Sequence, residues 1–155
     1  MVRQAASLTG PLTDTGSDNQ NIMVVVNEQE ANAHMKFIKM HGLGNDYVYI
    51  DCFREQAPGD PAALSRVISR HHYSIGSDGL ILIEPTAEAD AAMRIFNADG
   101  SEAEMCGNGI RCVGKYVHDS GIVRKDELSI LTKSGIKHLK MIIEDGIAVG
   151  ARADM

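Results

Sequence analysis

The chain is short of cysteine, basic runs and long apolar runs, and each shortage excludes a class of protein. Its three cysteines are odd in number and irregularly spaced, which argues against a disulfide framework and for reduced thiols in a cytoplasm-like compartment. The net charge is −6 and lysine and arginine are never clustered, so the sequence predicts neither nucleic-acid nor anionic-membrane binding. The N-terminal run "IMVVV" is far too short for a signal-peptide core or a membrane span.

Residues 1–34 differ in composition from the rest of the chain. The stretch "TGPLTDTGSDNQN" is rich in Thr, Gly, Asp and Asn, and it cannot bury enough apolar surface to offset the entropy lost on ordering. The run "IMVVV" has the composition of a short strand but no evident partner. We therefore predict a poorly ordered N-terminal extension over residues 1–34 and a folded domain over residues 35–155.

From residue 35 onward the pattern is one of short strands and two helices. The runs "KFIKMH" and "DYVYIDCF", joined by "GLGN", predict a β-hairpin. The stretch "DPAALSRVISRHH" predicts a helix with Asp60 as its N-cap and Pro61 in its first position. A second helix is predicted over residues 110–120, with Gly121 just beyond its end.

The remaining segments read as strands. They are "GLILIEP", "AAMRIFN" and three C-terminal runs joined by the turns "KSG" and "EDG". Strands outnumber helices, and most connections are short enough for antiparallel pairing. The sequence therefore predicts an α+β domain in which a curved, mostly antiparallel sheet wraps around a central helix.

The stretch "EMCGNGIRC" places Cys106 directly before Gly-Asn-Gly at a helix start. A helix N-terminus favours the thiolate form of a cysteine, and its unpaired amides bind anions such as carboxylates. Glycines next to a reactive group let a ligand approach the backbone closely. The pattern predicts a thiol beside a substrate carboxylate that is held by main-chain N–H groups, which would also acidify the adjacent carbon.

On its residues alone, Cys106 has four candidate roles: nucleophile, general base, metal ligand or buried small hydrophobe. Cys112 lies on a different face of the helix, and the Cys-x5-Cys spacing matches no common zinc pattern, so we predict no metal site. Free cysteine is among the most buried residue types, which keeps a purely structural role open. We interpret Cys52 and Cys112 as core or near-core residues.

Three blocks of the chain resemble, in order and spacing, the N-terminal half of diaminopimelate epimerase. They are "MKFIKMHGLGNDYVYID", "RHHYSIGSDGLILIEP" and "MRIFNADGSEAEMCGNGIRC", within a resemblance that spans residues 35–155. The resemblance implies one of two pseudo-symmetric halves of that family's fold. It also implies a cytoplasmic isomerase of lysine and peptidoglycan-precursor biosynthesis, which interconverts LL- and meso-diaminopimelate without pyridoxal phosphate, metal or reducing cofactor.

The same resemblance implies roles for individual residues. In the family, two cysteines face each other across the substrate α-carbon, and one removes a proton while the other donates one. Cys106 matches the cysteine from the first half, which selects the general base among its roles. Some members have a substrate-contacting glutamine where this chain has Gly79, so that role is not carried over. The implied substrate-contacting residues are Asn45, Asn97, Gly107 and Asn108.

The family's second cysteine, in a later Ala-Cys-Gly-Thr-Gly block, has no counterpart in this sequence. Neither Cys52 nor Cys112 lies in such a block. The resemblance therefore implies that this chain forms one wall of the substrate pocket and is inactive without the missing C-terminal domain. A homodimer is a further expectation. Two alternatives stay open: half of a related cofactor-independent racemase resembling proline racemase, and a non-catalytic half-domain that binds a partner.

Overall fold

The fold is a single mixed sheet that holds one helix on each face. The computed structural model describes residues 20–25 and 34–154. Within those residues, the strands are β1 (Gln20–Val25), β2 (His34–Gly42), β3 (Asn45–Asp51), β4 (Gly79–Glu84), β5 (Ala91–Asn97), β6 (Glu102–Ala103), β7 (Glu127–Thr132), β8 (Gly135–Glu144) and β9 (Ile147–Asp154), and the helices are α1 (Pro61–Ile68) and α2 (Gly107–Asp119).

The strands are ordered β1-β2-β3-β4-β5-β7-β8-β9, with β6 paired to β5. Two neighbouring pairs, β3–β4 and β5–β7, are parallel, and the others are antiparallel. Each parallel pair is connected through a helix, α1 for the first and α2 for the second, because parallel neighbours need a long crossover. The predicted α+β domain with a curved, mostly antiparallel sheet is therefore confirmed, with two helical crossovers added.

The core lies on both faces of the central strand β4. Leu80 and Leu82 belong to the cluster that packs under α1, whereas Ile81 and Ile83 belong to the cluster around α2. A strand buried on both faces has a continuous apolar sequence, which explains the run "GLILIE". On α2, the completely buried residues include Ile110, Val113 and Val117, which line a single helix face.

Helix α2 begins at Gly107, three positions earlier than the residue 110 predicted from the sequence. Glycine has a low helix propensity, so the Gly-Asn-Gly segment reads as loop. Cys106 compensates because its side chain caps the first turn, where Sγ accepts a hydrogen bond from the Gly109 amide. The other end is as predicted: Gly121 has a φ of 76° and its amide donates to the His118 carbonyl at 3.1 Å.

The predicted N-terminal extension lies mostly outside the described residues. Residues 1–19 and 26–33 are not among them, so the prediction of poor order there stays a prediction. Residues 20–25 form β1, which pairs antiparallel with β2 from Gln20↔Lys39 to Val25↔His34. Among the described residues, no helix is long and apolar enough to cross a bilayer.

Candidate active site

The site lies at the edge of the sheet where β3 and β4 begin and β5 ends. Tyr47 pairs with Gly79, and Gly79 pairs in turn with Asn97. This register brings the polar residues that flank the three strands to one edge. Helix α2 starts above the same edge, because the short strand β6 folds back along β5 and delivers the chain to Cys106.

Cys106 is the N-cap of α2 and is partly exposed. Its backbone is extended, with φ −139° and ψ 110°, and the first intrahelical bond runs from the Ile110 amide to its carbonyl at 2.9 Å. Its Sγ accepts from the Gly109 amide at 3.3 Å. The amides of Gly107 and Asn108 precede that first intrahelical bond, so helix geometry leaves them available to an anionic ligand.

The thiol of Cys106 also contacts the first residue of β3. Its Sγ donates to Oδ1 of Asn45 at 3.2 Å. The Nδ2 of Asn45 donates in turn to Oδ2 of Asp78 at 2.6 Å. The structure thus joins two predicted site residues and adds Asp78, which sequence reasoning missed. The only signal for it was its place in the turn "GSDG" before β4.

The β2–β3 hairpin turn packs against the start of α2. A Cβ at Gly42 would lie 3.1 Å from both Cβ and the carbonyl oxygen of Asn108, so the hairpin passes directly beside that residue. Arg111 holds the same turn of helix, since its Nη1 donates to the Gly107 carbonyl at 2.9 Å and approaches Oδ1 of Asn108 at 3.5 Å. Gly107 and Asn108 therefore lie beside Cys106, and their contact with a substrate stays a prediction. The hairpin tip carries Leu43, whose side chain is 93% exposed.

Asn97 lies at the same edge of the sheet, but its side chain is hydrogen-bonded to Ser101. Its Nδ2 donates to Oγ of Ser101 at 3.0 Å, and no hydrogen bond in the described chain links it to Cys106. The strand partner of Asn97 is Gly79, where a Cβ would overlap the Phe96 carbonyl oxygen and lie 2.9 Å from the Tyr47 ring. Position 79 in this chain therefore has no room for a glutamine without a shift of the backbone.

Burial disfavours the thiolate form of the other two free cysteines, Cys52 and Cys112. Burial, with help from Glu84 and Asp51, raises the pKa of the Cys52 thiol to about 11. Burial also raises the pKa of Cys112. Both thiols therefore stay protonated at neutral pH and are poor bases.

Tyr47 is the other ionisable group against the thiol. Burial, followed by the neighbouring Cys106, raises the pKa of Tyr47 to about 12, so its hydroxyl stays neutral near pH 7. In the part of the chain that the structure describes, no three His, Cys, Asp or Glu side chains are grouped as a metal site requires. The site can thus present one thiol, an amide and free main-chain N–H groups to a ligand, which suits proton transfer beside a carboxylate.

Comparison with known proteins places these features in one family. The diaminopimelate epimerase family model matches residues 37–151. Diaminopimelate epimerases from Acetivibrio thermocellus and Agathobacter rectalis are 53% and 56% identical to the chain over 121 residues. These matches cover 78% of this chain but 43% and 42% of the relatives, so the chain spans about two fifths of their length.

Solved structures share the fold at much lower identity. A hydroxyproline epimerase from Agrobacterium vitis, with bound trans-4-OH-L-proline, superposes with a TM-score of 0.61 at 19% identity, over 78% of this chain and 41% of that one. A methylitaconate-delta-isomerase gives 0.60 at 18% identity, over 85% and 37%. Likeness at this level shows the fold, whereas the family model covers the Cys106 block and the strands that build the site. The chain belongs to the diaminopimelate epimerase family.

Proposed function

We propose that this chain supplies one thiol and one wall of the substrate cleft of an enzyme that epimerises LL-diaminopimelate to meso-diaminopimelate. The observation that carries the proposal is the position of Cys106 as the N-cap of α2. Its thiol is hydrogen-bonded to Asn45, and the main-chain amides of Gly107 and Asn108 lie beside it. The sequence relatives that carry this activity in their names support the substrate class.

The chemistry follows from that geometry. The substrate α-carboxylate binds the N–H groups at the start of α2, which places the α-carbon near Sγ. The Cys106 thiolate takes the α-proton, so a C–H bond breaks, an S–H bond forms and the electron pair moves into an enolate-like carbanion. The helix N–H groups stabilise the charge that develops on the carboxylate oxygens.

A second thiol then completes the reaction from the opposite face. Its S–H bond breaks as it donates a proton to the α-carbon, and the configuration inverts. Cys106 ends protonated and the second cysteine ends as thiolate. Exchange of the thiol protons with solvent restores the starting state for another forward turnover, and reaction in the reverse direction restores it directly. A general base needs only reach and a suitable proton affinity, whereas a nucleophile would leave a covalent adduct that this sequence of steps does not require.

The second thiol comes from outside this chain. Cys52 follows the last residue of β3, about 20 Å along the strand from the site edge, at about 3.3 Å per residue. Cys112 is buried in the core around α2. The partner is therefore the remaining domain that the longer relatives possess, and we expect the chain alone to be inactive. No cofactor takes part in the proposed steps, and we place the reaction in the cytoplasm.

Reconstitution tests the proposal. The chain is mixed with the separately expressed remainder of the Acetivibrio thermocellus relative, and LL-diaminopimelate is added in deuterated water. We expect meso product carrying α-deuterium from the mixture and none from either part alone. Full turnover by this chain alone would contradict the need for a second domain. Faster turnover of trans-4-hydroxy-L-proline than of diaminopimelate would replace the substrate by that of the proline-racemase type.

A further inference from the structure

We propose that Asp78 is a positioning residue that fixes which end of the Asn45 amide faces Cys106, and so keeps the proton on the thiol while the site is empty. Asp78 does not touch Sγ; it acts through Asn45, whose Nδ2 it holds at 2.6 Å. Only the catalytic consequence rests on the proposed function, because the hydrogen-bond argument itself needs no substrate.

Asp78 determines which atoms donate and which accept in the series of hydrogen bonds that runs from Cys106 through Asn45. A carboxylate has no proton to donate, so the Asn45 atom that faces it must be the NH₂ group. The same Oδ2 also accepts from the Asp46 main-chain amide at 2.9 Å, a donor whose identity is unambiguous. The opposite end of the amide, Oδ1, consequently faces Sγ of Cys106 at 3.2 Å. An amide oxygen only accepts, so the thiol must donate its proton.

Asp78 is exposed, and two hydrogen bonds to the main chain of Asp46 position it. Its main-chain amide donates to the Asp46 carbonyl at 2.8 Å, while its carboxylate accepts from the Asp46 amide. This reciprocal pair joins the starts of the parallel strands β3 and β4. The Asp46 carboxylate does not compete for Asn45, because Lys39 forms an ion pair with it at 2.7 Å. The carboxylate that orients Asn45 is therefore anchored by a main-chain hydrogen bond to the start of β3.

The orientation opposes thiolate formation. Loss of the thiol proton would leave a negative sulfur facing an amide oxygen, so the amide must turn or a substrate group must intervene before the base can form. The Gly109 amide has the opposite effect on a negative sulfur, since it donates a hydrogen bond to the same atom at 3.3 Å. Asp78 thus biases the empty site toward the protonated thiol.

The other ionisable groups around the thiol do not titrate with it. Burial raises the pKa of Tyr47 to about 12 and raises that of Tyr49 further, so both hydroxyls stay neutral. Burial also raises the pKa of Cys112, which lies on α2 below the site. On the exposed side, the facing charges are the Asp78 carboxylate and the Arg111 guanidinium, which bonds the Gly107 carbonyl.

The test measures iodoacetamide labelling of Cys106 against pH, read by peptide mass spectrometry in the full chain without substrate. Asp78→Ala frees the amide to turn its NH₂ group toward sulfur, which favours the thiolate. We expect the midpoint of the labelling profile to fall by about one pH unit, a tenfold gain in thiolate below the midpoint. Asp78→Asn keeps an acceptor for both donors, so its midpoint should stay near that of the parent.

Asn45→Ala tests whether the orientation of the Asn45 side-chain amide is what shifts the midpoint. It removes the oxygen that accepts from the thiol, so its midpoint should also fall, and the double variant Asn45→Ala/Asp78→Ala should fall no further than either single variant. Glu88→Ala, at an exposed carboxyl on the β4–β5 connection that has no hydrogen-bond partner within the described part of the chain, is the control and should not shift the midpoint.

Three results would overturn the assignment. One is an unshifted midpoint in Asp78→Ala despite a changed melting temperature, which would make the residue purely structural. Another is an equal fall in Asp78→Asn and Asp78→Ala, which would make charge, not orientation, the cause. If Asp78→Ala fails to fold, Asn45→Ala decides, and an unshifted midpoint there rejects the proposal. Because labelling needs neither substrate nor a second domain, these results are independent of whether reconstitution yields epimerase activity.

Discussion

The Sγ atom of Cys106 lies 3.2 Å from Oδ1 of Asn45, although the two residues are 61 positions apart in sequence. This contact joins the start of a helix to the start of a strand, at the edge where the parallel strands β3 and β4 begin. The site is therefore a product of the sheet topology, which places the thiol within hydrogen-bond reach of the Asn45 side chain.

The first prediction concerns the relative reactivity of the three thiols. At pH 8, iodoacetamide should label Cys106 at least about ten times faster than Cys52, because burial raises the pKa of Cys52 to about 11 and little of it is ionised. Cys112 is buried and its pKa is raised as well, so it should be the slowest. Peptide mass spectrometry over time gives the three rates.

Cys106→Ser provides the control for the labelling measurement. It should abolish the fast phase and leave the slow labelling of the other two thiols unchanged. A fast phase that survives in Cys106→Ser would place the reactive thiol elsewhere.

The second prediction ranks three glycine substitutions by the space around each glycine. Gly79→Ala should lower the free energy of unfolding by about 3 kcal/mol or more, because its Cβ would overlap the Phe96 carbonyl oxygen and backbone cannot yield easily. Gly109→Ala should cost less, about 1–2 kcal/mol, because its nearest neighbour is the flexible Cδ1 of Ile81 at 2.8 Å. Urea unfolding gives both values.

Gly59→Ala is the matched control for that series. A Cβ there would meet nothing within 4 Å and the residue precedes α1, far from the site, so its effect should lie within about 0.5 kcal/mol of zero. A Gly79→Ala variant as stable as Gly59→Ala would show that the close approach of β4 and β5 at this point is not as described.

The third prediction concerns acid and the joint between α2 and β9. Although burial alone would raise it, hydrogen bonds from Lys115, the Ala148 amide and His118 hold the pKa of the Asp119 carboxyl below its usual range. A carboxyl with a lowered folded-state pKa binds protons more readily when unfolded. Its contribution is therefore complete above the unfolded pKa, about 4, and is lost as pH falls through the folded value.

Asp119→Asn should accordingly destabilise the protein by about 1 kcal/mol at pH 7 and by less near pH 3, because below the unfolded pKa the parent begins to lose the same interaction. Urea unfolding at both pH values measures the difference. Glu88→Gln, at an exposed carboxyl without a hydrogen-bond partner among the described residues, should change stability at neither pH. An Asp119→Asn penalty that is equal at both pH values would argue against the ion pair with Lys115 as its source.

The fourth prediction is that the chain alone self-associates. The edge strand β9 carries Ile147 and Val149, which are 56% and 55% exposed, beside Ile142 of β8. An exposed edge with apolar side chains pairs readily with another copy. We expect a concentration-dependent mass above that of the monomer by light scattering. Val149→Lys should reduce it, whereas Val67→Lys on α1, at a site 45% exposed, should not.

A monodisperse monomer at all concentrations would contradict this prediction. Equal effects of Val149→Lys and Val67→Lys would contradict the assignment of the interface to β9.

Local patterns were sufficient for most of the fold. The Asp60 N-cap was predictable because its carboxylate bonds an amide only three residues away, Ala63 at 2.9 Å. The hairpin of β2 and β3 and the buried face of α2 follow equally from short-range spacing. The parallel pairing of β3 with β4 was not predicted, because it depends on how α1 packs against the sheet and not on any local signal.

The site was only partly predictable for the same physical reason. Cys106, Gly107 and Asn108 are contiguous, so the helix-start pattern identifies them. Asp78 contacts Asn45 across 33 positions, and nothing in the spacing of "GSDG" shows that contact. Asn97 was expected to contact substrate, but in this structure its side chain binds Ser101, so that role stays a prediction.

One measurement tests the central claim most directly: solvent deuterium incorporation at the α-carbon of diaminopimelate by the reconstituted mixture, compared between the parent chain, Cys106→Ser and Cys52→Ser. We expect the parent and Cys52→Ser to give deuterated meso product at similar rates. We expect the rate with Cys106→Ser to fall at least about 10³-fold, because a serine hydroxyl is a far weaker acid than a thiol and the general base is gone. Undiminished incorporation with Cys106→Ser would contradict it.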